Sequence, residues 1–148
     1  MSSSLTILIV DDDEGHAILV RENLEAVGLP NRIEHFRDGQ AILDFLFGHR
    51  EFPKKVNARE YLVLLDIRMP KVDGIEVLRR IKADPEMKIL PVIILTTTDD
   101  SREIELCHQL GCSVYIRKPV DYDKFAEAIR RLGMLIGFLH IPPVTVGN

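Results

Sequence analysis

Asp66 closes the apolar run "YLVLLD" and is followed by "IRMP", so an ionisable carboxyl stands at the inner end of a segment that otherwise reads as buried. A charge there is costly unless a neighbour favours it. Other runs end in the same way. Asp11, Asp12 and Asp13 follow "ILIV", Thr96 ends "PVIILT", and Lys118 with Pro119 ends "SVYIRK". Taken singly, each ending has a plain explanation: a helix cap for Asp13 or Thr96, a turn for Asp66, a solvated charge for Lys118. Gathered on one rim they describe a site. Carboxylates within reach of one another repel and resist ionisation unless a cation is shared. Hard oxygen donors with no convergent His or Cys suit Mg²⁺, or Mn²⁺, better than Zn²⁺. A lysine and a threonine hydroxyl facing that metal would hold an anion with several oxygens, such as a phosphoryl group. Asp66, a carboxylate able to form an acyl phosphate, is the best-placed nucleophile.

The elements that must bring these residues together are five short runs: "LTILIV" (5–10), "RIEHF" (32–36), "YLVLLD" (61–66), "PVIILT" (91–96) and "SVYIRK" (113–118). Four are dense enough for strands covered on both faces, whereas "RIEHF" alternates and reads as an edge. Helical stripes lie between them. Ala17, Val20, Leu24 and Val27 form one, ended by Gly28 and Pro30; Ile75, Leu78 and Ile81 follow Asp73; Ile104, Cys107 and Leu110 follow Ser101. Phe125, Ile129 and Leu132 follow Asp121, a residue suited to cap a helix. Alternating strands and helices imply a doubly wound parallel α/β sheet with helices on both faces. In such sheets ligands bind outside the carboxyl ends of the strands, where these polar endings collect. The polar stretch 48–60 is expected to be an exposed loop with freedom to move.

With 148 residues, 46% of them hydrophobic, the chain has the size of one domain with a full core and no room for a second. Its 19 basic and 23 acidic residues are interspersed, for a net charge of −4, which speaks against a nucleic-acid or anionic-membrane surface. "MSSSLTILIV" has no basic region, and its apolar run is too short for a signal peptide or a membrane span, so a cytoplasmic location is expected. Cys107 and Cys112 lack CxxC spacing and read as reduced structural thiols. No glycine-rich phosphate loop follows the first run, and its acids would repel a flavin phosphate.

Four segments, "ILIVDDDEGHA" (7–17), "LLDIRMPKVDG" (64–74), "PVIILTTTDD" (91–100) and "YIRKPV" (115–120), resemble in order and spacing the receiver domain of two-component response regulators. The resemblance spans nearly the whole chain, 1–148, with 133–148 as a C-terminal extension. It implies a flavodoxin-like sheet of order 2-1-3-4-5. Asp66 would be the phosphorylated aspartate, and Asp11 with Asp12 would position Mg²⁺, Asp12 directly and Asp11 through water. The third protein ligand would be the backbone carbonyl of Arg68. Lys118 would pair with the phosphoryl oxygens and precede a cis peptide to Pro119. Thr96 matches the switch hydroxyl, and Tyr115 the aromatic that turns inward when that hydroxyl moves. The implied donor is a phosphohistidine on a histidine kinase. "EGHA", "TTTDD", the extended segment before the third strand and the tail are similar to single-domain receivers paired with bacteriophytochromes.

Arg68 and Thr98 stand two residues beyond the phosphoacceptor and the switch threonine, where side chains meet attacking water. Arg68 is expected to crowd that water and lengthen the phosphorylated lifetime. It also weighs against a haloacid-dehalogenase-type phosphatase, which needs a second acid at that place. No histidine lies in the helical-bundle setting of a relay carrier; His16 and His108 read as ordinary helix residues, and His140 lies in the tail. Leu135, Ile136, Phe138 and Leu139 exceed what the last helix needs to cover a sheet, so a homodimer built partly from this segment is expected, with a tail folded back on its own domain as the alternative.

Overall fold

The computed structural model describes residues 5–139, with side chains through Gly137. Five strands, β1 (Thr6–Val10), β2 (Ile33–Phe36), β3 (Tyr61–Leu65), β4 (Val92–Thr96) and β5 (Val114–Arg117), alternate with α1 (Glu14–Ala26), α2 (Gly39–Phe47), α3 (Gly74–Ala83), α4 (Ser101–Leu110) and α5 (Tyr122–Leu139). All strand pairs are parallel and the order is β2-β1-β3-β4-β5. The expected doubly wound fold is therefore the observed one.

Side chains alternate across each strand, and the two sets build two cores. Ile7, Ile9, Leu62, Leu64, Ile93 and Leu95 face α1 and α5. Leu8, Val10, Val63, Leu65, Val92 and Ile94 face α2, α3 and α4. Because both faces of β1, β3 and β4 are covered, these runs show little polar alternation. β5 differs from expectation. It is the second edge strand and is only half-buried, since among the described residues no sixth strand lies beyond it.

Aspartates start the helices. Asp13, Asp38, Asp73 and Asp100 each accept a backbone N–H from the first turn of α1, α2, α3 and α4, and Asp121 accepts from Asp123 and Lys124 N–H at the start of α5. Such caps satisfy donors that a helix start leaves unpaired.

The stretch 48–60 is exposed along much of its length but tied down. Lys54 and Val56 N–H donate to Phe47 and Leu46 carbonyls at 3.0 Å, Ala58 is buried, and Lys55 pairs with Asp84 at 2.8 Å. These bonds anchor its second half, from Lys54 to Ala58, against the end of α2 and Asp84.

At Ile136 the tail follows the folded-back alternative. α5 runs on unbroken, and Ile136 is fully buried in the α1–α5 core while Leu135 is 47% exposed. Gly133 lets the helix come close, since a Cβ there would press on Val27 and Leu24. Of the residues assigned to a dimer face, Ile136 thus serves its own domain, and the side chains of Phe138 and Leu139, like all of His140, lie outside the described residues. No described helix is long and apolar enough to cross a membrane.

Candidate functional site

The register of the sheet assembles the rim. Val10 pairs with Leu65, so Asp11 and Asp66 leave neighbouring strands side by side, with Asp66 N–H donating to the Val10 carbonyl at 2.9 Å. Thr96 pairs with Arg117, and the next N–H, that of Lys118, donates to the Thr96 carbonyl at 2.7 Å. Strand order reverses between β1 and β3, where open α/β sheets form their binding crevice.

Asp11, Asp66, Thr96 and Lys118 are all buried, while Asp12 is exposed. Oxygens of Asp11, Asp12 and Asp66 lie within 4.8 Å of one another. Lys118 Nζ is 2.6 Å from Asp11 Oδ2 and 3.7 Å from Asp66 Oδ2. The other oxygens are occupied by backbone: Asp13 N–H donates to Asp11 Oδ1 at 2.9 Å, and Ile67 N–H to Asp66 Oδ1 at 2.8 Å. Burial pushes the Asp66 carboxyl up from its ordinary value; the Lys118 charge opposes this, Asp11 adds to it, and hydrogen bonds from Thr96 and Ile67 reduce it. Three ionised carboxylates against one ammonium leave two negative charges unmatched. Clustered hard oxygens with that deficit fit a divalent cation such as Mg²⁺ or Mn²⁺.

The loop after β3 is shaped by close backbone approach. A Cβ at Gly74 would collide with the Asp66 carbonyl, and one at Gly39 with the Val72 carbonyl, so the starts of α2 and α3 clasp the loop. Lys71 adopts φ 67°, and its ammonium lies 3.5 Å from Asp38. Arg68 turns its guanidinium away from Asp66 to Glu103 of α4, at 2.8 Å. Glu103 also accepts from the Thr98 hydroxyl at 2.8 Å, and the Tyr115 hydroxyl donates to the Thr98 carbonyl at 3.1 Å. Burial, foremost, pushes the Tyr115 phenol up to about 12, so it keeps its proton as a donor.

Two expectations need correction. The Lys118–Pro119 peptide is trans, and no cis bond occurs among the described residues. Trans is the intrinsically favoured isomer by about 0.5–1 kcal/mol, and in it Lys118 already meets both Asp11 and the Thr96 carbonyl. His16 is not an ordinary helix residue: its Nδ1 lies 3.1 Å from Lys118 Nζ. Its place at the third helical position after an Asp cap, where side chains fold back toward the cap, was the available signal. His35, whose Nε2 lies 2.8 Å from the Asp11 carbonyl, gave no such signal in an edge run.

Residues 7–130 match the response regulator receiver domain. The chain belongs to that family. Among solved structures it is similar to a receiver domain from Rhodospirillum rubrum, with 44% identity, TM-score 0.87, and 93% of this chain and 97% of that one covered. Response regulator Rcp1 of Synechocystis is 35% identical over 112 residues, 76% of this chain and 75% of Rcp1. The Mn²⁺-bound form of Rcp1 superposes with TM-score 0.79 at 29% identity, covering 97% of this chain and 99% of that one. The phosphorylated cyanobacterial phytochrome response regulator RcpA gives TM-score 0.80 at 27% identity, with 95% and 99% covered. Receiver-domain response regulators act in two-component signalling, and this site has the acidic cluster that a receiver's metal requires.

Proposed function

We propose that the chain is a cytoplasmic receiver that takes a phosphoryl group from a histidine kinase onto Asp66. The observation that carries this reading is the buried Lys118 ammonium set between Asp11 and Asp66. Asp11, Asp12, Asp66 and the Arg68 carbonyl would hold Mg²⁺, or Mn²⁺. The bound ion supplies positive charge to the oxygens of the transferring phosphoryl group. An Asp66 oxygen attacks phosphorus in line as the bond to the donor imidazole breaks and that nitrogen takes up a proton. Lys118 offsets charge on the equatorial oxygens. The chain is a signalling protein whose only chemistry is at its own Asp66.

Once Asp66 is modified, its phosphoryl oxygens compete for the Thr96 hydroxyl. Thr96 moves with the segment leading to Thr98, and Tyr115, bonded to the Thr98 carbonyl, follows. The altered surface comprises α4, β5 and α5. The donor best supported is a bacteriophytochrome kinase, because a phytochrome response regulator covers almost the whole chain in superposition. Exposed Met134 and Leu135 support a homodimer through α5.

Incubation with acetyl phosphate and Mg²⁺, followed by intact-mass measurement, should add one phosphoryl group to wild type and none to Asp66→Asn. An adduct on both proteins would move the acceptor elsewhere. Sustained turnover of a simple phosphomonoester would instead favour the phosphatase reading. Transfer from a phosphorylated bacteriophytochrome kinase, compared with a kinase that senses no light, tests the donor.

A further inference from the structure

Lys118 has three N–H donors and no acceptor. It meets Asp11 Oδ2 at 2.6 Å, His16 Nδ1 at 3.1 Å and Asp66 Oδ2 at 3.7 Å. An ammonium can only donate, so the contact with His16 requires a lone pair on Nδ1 and, in the neutral ring, a proton on Nε2. The competing arrangement, a protonated Nδ1 turned to Asp13 Oδ2, spans 3.6 Å and is too long for a hydrogen bond. Asp13 Oδ1 is meanwhile engaged as the cap of α1, accepting His16 N–H at 3.0 Å. Phe125 of α5 fixes the ring, with centroids 5.7 Å apart and planes at 89°.

We infer that His16 is a positioning residue for phosphoryl transfer to Asp66, a role that rests on the function proposed above. Its neutral ring holds one N–H of Lys118 while Asp11 holds another, which aims the third toward Asp66 and the phosphoryl oxygens arriving there. The neutrality of this acceptor matters. A carboxylate in its place would add a second negative charge to an ammonium already paired with Asp11, and so diminish the charge offered to the phosphoryl group. An apolar side chain would leave one donor of a buried lysine without a partner, and the flexible ammonium would settle between the two aspartates. His16 thus orients Lys118 without consuming its charge. Through Phe125 the same ring links the lysine to α5.

The full chain can be tested in two ways. ¹⁵N NMR of the imidazole nitrogens should show His16 as the Nε2–H tautomer near neutral pH; an Nδ1–H tautomer would overturn the role. Uptake of phosphoryl from acetyl phosphate with Mg²⁺, followed by intact mass over time, should slow about tenfold in His16→Leu. His16→Gln, whose amide oxygen can accept from Lys118, should stay within about threefold of wild type. Equal rates in wild type and His16→Leu overturn the inference. So does equal slowing in both variants, which would mean that only the ring's packing on Phe125 counts. Thermal melts identify a variant that fails to fold, and the wild-type tautomer then decides. A wild-type chain that takes up no phosphoryl group overturns the proposed function, and the positioning role with it.

Discussion

Burial raises the Asp66 carboxyl above its ordinary value of 3.8, against the pull of Lys118. The folded chain therefore keeps that proton to a higher pH than the unfolded chain. The stability this contributes is fully present below pH 3.8 and is lost as pH rises through the folded-state value. At neutral pH the ionised carboxylate strains the metal-free site. Asp66→Asn should then raise the thermal midpoint of metal-free protein by roughly 2–4 °C at neutral pH, with the gain fading toward pH 3.8. Calorimetry across pH checks this, and an equal midpoint at neutral pH would contradict it. Mg²⁺ should stabilise wild type and do little for the variant. Asp11, Asp66, Thr96 and Lys118 were legible because each breaks an apolar run at its end. Glu103 was not, since it lies in a helical pattern that marks a solvated face and only the tertiary approach of Arg68 gives it a task, while for His16 the one signal was its place behind the Asp13 cap.

Among the elements, α4 is the least anchored. Cys107 is its one fully buried residue, and Ile104 and Leu110, expected to complete an apolar stripe, are only half-buried. Glu103 compensates by tying the first turn of α4 to Arg68 on one side and Thr98 on the other. An ion pair with an arginine that is 63% exposed contributes modestly. Glu103→Ala should accordingly speed amide hydrogen exchange in the first turn of α4 by about two- to fivefold and leave α3 unchanged. Exchange followed by mass spectrometry would reveal it; uniform acceleration across the domain would argue for global destabilisation instead. Arg68 bears on the lifetime question through the same pair. Its guanidinium lies on Glu103 rather than over Asp66, so any shielding of the phosphoryl group requires it to swing back. Strand positions were readable from β-branched density, whereas the half-burial of β5 follows from its place at the edge, which composition does not encode.

For the whole molecule, the dimer proposal narrows to what α5 leaves exposed. Cutting the chain after Gly133 would remove Ile136 from the domain's own core and confuse folding with assembly. Leu135→Lys avoids this, because Leu135 is 47% exposed. Sedimentation should give a dimer for wild type and a monomer for the variant at equal concentration, with both chains folded; a monomeric wild type would remove the dimer from the proposal. The surplus of apolar residues was visible in the sequence, but its division between core and surface depends on the helical phase of α5 against α1, which Gly133 sets by close approach. A comparable clasp surrounds the loop that carries Arg68, where Gly39 and Gly74 leave no space for a methyl group. A survey of every substitution in the chain, scored by signalling output, would rank those two glycines beside Asp66 as intolerant. Neither bears a reactive atom, so intolerance alone would misassign them to the chemistry.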